Sequence, residues 1–491
     1  MNESMTPSTL RNCCSRLGKR MTFVLLLFLC LAVLSPSAFA QCSPQPVATI
    51  SSSQVPSDVS PPPAGCLPIN YFDDYSWRIF VALVWPAANG QRGVPGGGPV
   101  TGSGPRVFET YKSLWETFHN DGTTPSAWNN YDGTSENPCT LNNPLVNVQF
   151  GDIVLASWSH FSNFDLAGFG GLAGPLPAQN HTWIAYMAAF NETEFTQILT
   201  KQWFTRSQLP PLSAPVPFNN GSISIKSSWM DMTGNANPGR YYTRTAWLMN
   251  PTTGQCTQTT VGLIGLHIVQ KTPNSPQWIW SSFEQVDNVP PTVSGGPGTF
   301  NLNDGTSTQM KPPNPYPSNA PLTNASPKPF NVTRIMPIHP STQKTNQAYQ
   351  TLLKQQSASS PWQFYQLVMT QWPVPQATPS NSGLPQFTFP GTGATTAFAN
   401  TSMEPFEQFN VATGCMACHN IANTKAPNNT DFQFSVKDHA FPSTAPDLVF
   451  SDSMRALRAL LSSAPKPAAP ARKKPVGKKL PAKTLKSGEP K

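Results

Sequence analysis

Charged residues are scarce in this 491-residue chain, at only 11% of the sequence. The two ends carry the formal net charge of +8: residues 462–491 carry +8, residues 1–40 carry +3, and residues 41–461 carry −3. Domains that bind nucleic acid usually concentrate cations on one folded face. Because the body of this chain is mildly acidic, we expect no nucleic-acid partner.

Long apolar runs are also lacking, apart from the 14 residues at positions 21–34. This run is short for a membrane span, which needs about 20 residues. Four cations precede it, and Ala38, Phe39 and Ala40 follow it, which is typical of a secretory signal peptide over residues 1–40. An uncleaved anchor is the alternative. We expect cleavage after Ala40, a periplasmic or otherwise exported protein, and no transmembrane span in the mature chain.

Six of the nine cysteines follow residue 40. Cys42, Cys66, Cys139 and Cys256 form an even set, and disulfides persist in exported proteins. Three pairings are open. We favour Cys42–Cys66 with Cys139–Cys256, because the first two cysteines are close in sequence and flank a Ser/Pro-rich arm. Four buried free thiols are the alternative.

The remaining pair lies in a Cys-x-x-Cys-His segment, formed by Cys415, Cys418 and His419. This is the attachment signature of c-type haem. One helical turn places both thiols where they form thioether bonds with the porphyrin, and the histidine becomes the proximal iron ligand. A zinc site would need a second ligand pair and a thioredoxin-like site a βαβ context, and the sequence provides neither. We expect one covalent haem c.

The sixth position of the iron has several candidate ligands. Met454 would give the His/Met ligation that raises the potential of electron-transfer cytochromes. His439 would give a bis-histidine iron of lower potential, and Met403 is a third candidate. An iron without a sixth ligand is the fourth alternative. Met416 lies inside the attachment loop and is not expected to reach the distal side.

The apolar pattern predicts an α+β fold with an antiparallel β-rich body flanked by helices, followed by a C-terminal, mainly helical haem-binding region. Apolar residues recur at three- and four-residue spacing in the predicted helices: 71–85, 106–118, 192–207, 343–355, 361–371, 402–410 and 453–461. Alternation predicts a half-buried strand over residues 222–229. Residues 241–249 and 257–270, joined by residues 250–254, predict a hairpin, and residues 278–284 predict a further strand.

Composition divides the chain into five parts. They are a signal peptide (1–40), a Ser/Pro-rich arm (41–68), a β-rich body (69–335), a helical haem-binding region (336–461) and a disordered basic tail (462–491). Within the body, the glycine-rich residues 86–105 predict a loop, and residues 289–332 predict a long surface connection. The tail has no apolar periodicity, which is why it is expected to stay unfolded.

Three polar residues of the body have two interpretations. His267 lies in an apolar predicted strand, and Glu284 and Asp287 lie at the end of the next predicted strand and just after it. They could form an acid/base cluster near the haem. We favour the simpler interpretation, in which His267 is a half-buried sheet histidine and the two carboxylates cap a turn.

Four segments together resemble a family of large, poorly characterised bacterial cytochrome c family proteins. They are residues 108–112 (FETYK), 265–269 (GLHIV), 278–290 (from WIW to DNVP) and 414–419 (GCMACH). The resemblance extends over most of residues 70–450. It implies one c-type haem in a periplasmic protein whose partner is unknown, and it assigns no catalytic residue in the body.

Three functions are open at this point. We favour electron transfer, in which the haem exchanges electrons with a redox partner protein of unknown identity. A haem enzyme, peroxidase-like or substrate-oxidising, is the second function, and a ligand-binding haem protein is the third. A six-coordinate iron would favour the first and an open distal site the second. The basic tail either solubilises the protein or contacts an acidic partner or anionic surface.

Overall fold

The computed structural model describes most of the body and part of the C-terminal region. The described residues are 50, 52–61, 63, 66–119, 121–132, 136–143, 146–156, 175–214, 216–250, 253–291, 298–305, 327–329, 331–372, 399–408, 414–416, 419, 422 and 428–442. The predicted signal peptide, the predicted helix 453–461 and the basic tail lie outside them, as do Cys42, Cys418 and Met454.

The fold is α+β, with one eight-stranded sheet and six α-helices that lie wholly within the described ranges. The strands are β1 Lys112–Ser113, β2 Ile153–Leu155, β3 Ala185–Phe190, β4 Ile223–Asp231, β5 Thr243–Met249, β6 Cys256–Thr272, β7 Ser275–Gln285 and β8 Tyr365–Gln371. The helices are α1 Pro68–Leu83, α2 Leu114–Thr117, α3 Pro138–Asn142, α4 Glu192–Thr200, α5 Pro340–Gln356 and α6 Phe434–His439.

Strand β6 is the centre of the sheet. The strand order is β1-β3-β4-β6-β5-β2, and β7 pairs with both β6 and β8. Strand β4 occupies one edge of β6, while the other edge is shared by β5, along residues 256–262, and β7, along residues 265–272. The β2–β5 pair is parallel, so the curled sheet is mixed and not wholly antiparallel as predicted.

Helices α1 and α5 cover one face of β7 and β8. Trp77 of α1 is fully buried, with its ring stacked on Tyr349 of α5 at 5.1 Å and its edge on Phe283 of β7 at 5.1 Å. Its Nε1 donates to Oδ1 of Asn346 at 2.9 Å. Truncating a buried aromatic side chain of this kind costs about 3–5 kcal/mol, so these contacts tie the helices firmly to the sheet.

Most of the predicted elements are confirmed. The predicted strands match β4, β5, β6 and β7, with β5 and β6 forming the predicted hairpin. The predicted helices 71–85 and 343–355 match α1 and α5. Asn191 caps α4 through its Oδ1, which accepts from the N–H of Glu194 at 3.1 Å, although α4 ends at Thr200, earlier than predicted.

Three predicted helices are wrong where the structure describes them, and two of these segments contain strands. The predicted helix 106–118 is broken into a 3₁₀ turn, β1 and α2, because Glu109 and Glu116 each bond the backbone N–H three residues earlier and start a new turn there. The predicted helix 361–371 is a 3₁₀ turn, Pro361–Phe364, followed by β8. Almost every residue of β8 is buried, so the alternation that marks a half-buried strand is missing.

The described part of the predicted helix 402–410 is also not α-helical, since it forms turns and the 3₁₀ segment Pro405–Glu407. Residues 86–105 form the predicted loop. The described parts of residues 289–332 are not wholly on the surface, because Leu302 and Val332 are buried and Val332 N donates to Leu302 O at 2.8 Å.

The predicted disulfide Cys139–Cys256 is confirmed and joins α3 to the first residue of β6, with 5.5 Å between the two Cα atoms. Cys66 is also disulfide-bonded, and its predicted partner Cys42 lies outside the described residues. Among the helices that the structure describes, none is both long enough and apolar enough to cross a membrane.

Candidate functional site

The face of the sheet opposite α1 and α5 is polar and buried, and we call it the site face. Since side chains alternate along a strand, it carries every second residue of four neighbouring strands. These are Ser224, Lys226 and Ser228 of β4, Gly265, His267 and Val269 of β6, Trp280, Ser282 and Glu284 of β7, and Met369 and Gln371 of β8.

Two segments from the C-terminal region cover the site face. Residues 399–408 lie over its middle, where Asn400 Nδ2 donates to Ser282 Oγ at 3.1 Å and Ser402 Oγ lies 2.9 Å from Ser228 Oγ. Residues 428–439 lie over one side, where Gln433 Oε1 accepts from Ser224 Oγ at 3.2 Å. The predicted haem segment lies between these two segments in sequence.

Gln371 holds the beginning of the Cys-x-x-Cys-His segment against the sheet. Its Oε1 accepts from the N–H of Met416 at 3.2 Å. A Cβ on Gly414 would meet the amide end of the same side chain, 3.0 Å from its Cδ, so glycine permits this approach. Cys415, Met416 and His419 have helical backbone, which agrees with the one-turn spacing required of the motif.

His419 lies in an aromatic pocket with its ring orientation fixed. Trp280 and Phe434 flank the ring, at centroid distances of 4.4 and 5.2 Å. Its Nδ1 lies 2.8 Å from the carbonyl oxygen of Phe432 and must donate to it. Burial lowers the pKa of His419 to about 4. The imidazole is therefore neutral near pH 7, with the lone pair on Nε2, which is the form that binds a metal.

Cys415 is a free thiol in a largely apolar setting. It packs against Val368 and Met369 of β8. Burial raises the pKa of the Cys415 thiol, and the nearby carboxylate of Glu404 raises it further. A protonated thiol is a poor nucleophile, so the site is not that of a low-pKa reactive cysteine. Cys418 lies outside the described residues.

His267 is placed on the site face close to His419. Its Nε2 is buried, makes no hydrogen bond and lies 3.6 Å from Oε2 of Glu404. Burial lowers the pKa of His267 well below its usual value, and the charges of Lys226 and His419 lower it further. The structure thus brings together two histidines that are 152 positions apart in the sequence.

Glu284 and Asp287, which could have formed an acid/base cluster with His267, form ion pairs with arginines. Glu284 is buried in an ion pair with Arg334 and accepts from Thr401 Oγ1 at 2.8 Å. Asp287 forms a two-bond ion pair with Arg240, at 2.6 and 2.7 Å. Both are engaged in stabilising contacts, so these carboxylates and His267 do not form an acid/base cluster.

Two candidate distal ligands, His439 and Met403, lie in the described ranges and pack against residues other than those around His419. In α6, Phe434 contacts His419, whereas His439, about 140° further around the helix, packs its ring on Phe118 at 6.1 Å. Met403 is fully buried, belongs to a separate apolar cluster with Tyr186 and Phe406, and packs over Gly265. Met454 lies outside the described residues.

A separate group of metal-ligand types involves His119, Asp121 and Glu136, whose ligand atoms lie within 4.8 Å of one another. Thr123 Oγ1 donates to Asp121 Oδ1 at 2.7 Å, so it accepts from His119 Nδ1 at 2.9 Å. Sequence spacing did not predict this group. Asp121 is exposed, and exposed acidic groups of this kind are common without an ion.

Sequence patterns missed Lys226, Trp280, Gln371, Glu404 and Phe432 as residues of the site. A signal was present in β4, where Ser224, Lys226 and Ser228 occupy every second position and mark a polar face. Gln371 was hidden in a segment predicted as a helix. Glu404 and Phe432 come from irregular segments, whose placement depends on tertiary contacts.

Comparison with family models, with curated proteins and with solved structures returned no match to this chain.

Proposed function

We propose that this protein is an exported mono-haem c-type cytochrome that transfers electrons, with the haem bound covalently by Cys415 and Cys418 and its iron bound by His419. The observation that carries the proposal is the state of His419. Its Nδ1 donates to Phe432 O at 2.8 Å, while its Nε2 makes no hydrogen bond among the described residues. Metal-binding histidines use one ring nitrogen in this way and bind the metal with the other.

The surroundings of the segment fit a haem. Trp280, Phe432 and Phe434 provide aromatic surface next to His419, and an apolar shell of this kind limits solvent access to a redox centre. When bound, the haem supplies reversible one-electron chemistry. The chain orients the proximal ligand, keeps it neutral, and holds the attachment segment to the sheet through Gln371.

Membership of the large bacterial cytochrome c family that the sequence resembles is part of this proposal. Three of the four resembling segments meet at the site face: β6 contributes His267, β7 contributes Trp280, and the haem segment contributes His419. The fourth is structural, because Glu109 pairs with Arg244 and Lys112 pairs with Asp132. We also propose that the residues after 335 form a separate haem-binding region. Its strand β8 pairs with β7 of the body.

Export to the periplasm is proposed on the signal-peptide pattern, and the Cys139–Cys256 disulfide supports it because such bonds persist in oxidising compartments. We further propose a redox partner protein, whose identity is open. A haem enzyme is the second candidate function, and the contact of His267 with Glu404 favours it, since an enzyme would need polar groups beside an open iron position.

The test is haem staining of denaturing gels after expression in a host with c-type maturation machinery. Wild type should stain, and Cys418→Ala and His419→Ala should each lose normal incorporation, because each removes a bond that holds the haem. His339→Asn is the matched control: His339 caps α5 through a side-chain nitrogen, and asparagine preserves a cap, so staining should persist. An unstained wild-type band would refute the proposal.

A further inference from the structure

His267 lacks the hydrogen bonds that its neighbours on the site face have. Ser228 and Ser282 are each bonded to the covering segment, whereas the imidazole of His267 makes no hydrogen bond in the described part of the chain, and its Nε2 is buried. Native proteins keep few buried polar atoms without a partner. Since Nε2 faces Glu404 at 3.6 Å, the nitrogen left for a partner other than a protein group is Nδ1, which makes no hydrogen bond in the described part of the chain.

The register of the sheet places this ring beside the proximal histidine. His267 pairs with Ser282, and Trp280, two residues before Ser282 on the same face, contacts His419 at a ring distance of 4.4 Å. Such diagonal neighbours on adjacent strands lie about 7–8 Å apart. Through Trp280, the register therefore places the imidazoles of His267 and His419 near each other above β6 and β7.

Glu404 completes an arrangement that resembles the one at His419. The Glu404 carboxylate lies 3.6 Å from Nε2 of His267, while Nδ1 makes no hydrogen bond to any described residue. Histidines that bind metals usually direct the nitrogen that is not bound to the metal toward a carboxylate or carbonyl, which sets the ring orientation. His419 has the carbonyl of Phe432 in this role, and His267 has Glu404.

We propose that His267 is the second axial ligand of the haem iron and that Glu404 is the positioning residue for its ring. The inference rests on the proposed function, because it requires a haem bound through His419. It takes the sixth ligand from strand β6 of the body, in place of the candidates Met454, His439 and Met403. Bis-histidine ligation gives a lower potential than His/Met ligation.

The experiment uses the full-length, haem-loaded protein and optical and EPR spectra in place of activity. Ferric wild type should be six-coordinate and low-spin, and the reduced form should bind little CO. His267→Ala should retain covalent haem, turn high-spin and bind CO when reduced. Added imidazole should restore the low-spin spectrum, because it can occupy the iron position that the alanine variant leaves open. If the alanine variant fails to fold, His267→Met should remain six-coordinate with a raised potential.

Control variants distinguish His267 from the other candidate ligands of the iron. His439→Ala and Met403→Ala should keep the wild-type spin state. Glu404→Gln should keep six-coordination but shift the potential, because it removes the negative charge beside the ligand. A low-spin spectrum that survives His267→Ala overturns the proposal, as does a wild type that is high-spin and binds CO. If wild type carries no haem, the proposed function itself fails, so the two failures are distinguishable.

Discussion

Gly414 and Gln371 determine how closely the haem segment approaches the sheet. Gln371 is fully buried and bonds Met416 N through Oε1, while its amide end occupies the space next to Gly414. Protein interiors are close-packed, so a buried side chain has little room to yield. The glycine is therefore required by this contact, and its backbone adopts no unusual conformation that would require it.

Gly414→Ala should lower the free energy of unfolding by about 1–3 kcal/mol, the usual cost of overpacking. The added Cβ would displace Gln371 and break its bond to Met416. Denaturant unfolding measures the loss. Gly98→Ala is the matched control, since a Cβ there has nothing within 4 Å. Equal stability of the two variants would show that Gln371 does not confine Gly414.

Asp73 is a second residue with a specific expected effect. Its buried carboxylate accepts from Thr342 and Thr370, at 2.6 and 2.8 Å, and so links α1 to α5 and β8. Burial raises its pKa to about 7, against the ordinary value of 3.8. A raised carboxyl pKa means that the folded protein holds the proton longer than the unfolded chain does, so stability falls as the pH rises between these values.

Relative to Asp73→Asn, which does not titrate, wild type should therefore lose stability as the pH rises from about 4 to about 7. The change should amount to a few kcal/mol, because one pKa unit corresponds to about 1.4 kcal/mol. Urea unfolding of both proteins across this range provides the measurement. Parallel stability curves would mean that the carboxyl group titrates alike in the folded and unfolded chains.

At the scale of elements, β6 joins the two parts of the sheet, and the disulfide secures its first residue. Cys256 pairs with Met249 across the β5–β6 hairpin and is bonded to Cys139 in α3. The loop between the two cysteines spans 117 positions. Closing a loop of this length restricts the unfolded chain by about 4–5 kcal/mol in the chain-entropy model.

Removing the bond by Cys139→Ala with Cys256→Ala should lower the unfolding free energy by several kcal/mol, up to about that figure. Chemical denaturation of the unreduced double variant and of unreduced wild type measures this loss, and reduced wild type should lose at least as much because it also lacks the Cys66 bond. Peptide mapping without reduction is the independent check on wild type. Alkylation of both cysteines in native, unreduced protein would contradict the assignment.

At the scale of the whole molecule, the positive charge is concentrated at the ends and the body is mildly acidic. Residues 462–491 carry nine lysines and arginines among prolines and alanines. Such a composition does not support a packed core, and clustered cations attract anionic surfaces over about one Debye length. One hypothesis is therefore that the tail docks the protein on an acidic partner or on anionic lipid. The alternative is that the tail only solubilises the protein.

Deletion of residues 466–491 should leave the haem spectrum and thermal stability unchanged, because the predicted core lies before the tail. It should weaken binding to anionic vesicles at low salt, since nine cations are lost. Vesicle co-sedimentation at increasing salt measures this, and the difference between full-length and truncated protein should fade as the charges are screened. Equal binding at low ionic strength would leave the tail without an electrostatic docking role.

Local patterns in the sequence were sufficient for much of the fold. Alternating polar and apolar residues predicted β4, two strand-like segments joined by a turn predicted the β5–β6 hairpin, and a further strand-like segment predicted β7. A three- to four-residue apolar spacing predicted α1 and α5. Cysteine number and spacing predicted the Cys139–Cys256 bond. The Cys-x-x-Cys-His segment is likewise local, since one helical turn holds all its chemical groups.

Only the tertiary structure decided which distant residues surround that segment. Sequence patterns predicted a helix where β8 lies because both faces of β8 are buried, which removes the alternation that marks a strand. With β8 in the sheet, Gln371 reaches Met416, and the register of β6 and β7 brings His267 and Trp280 to His419. The β7–β8 partners lie 80 to 91 positions apart in the sequence, and Trp280 lies 139 positions from His419. No local pattern encodes contacts over such separations.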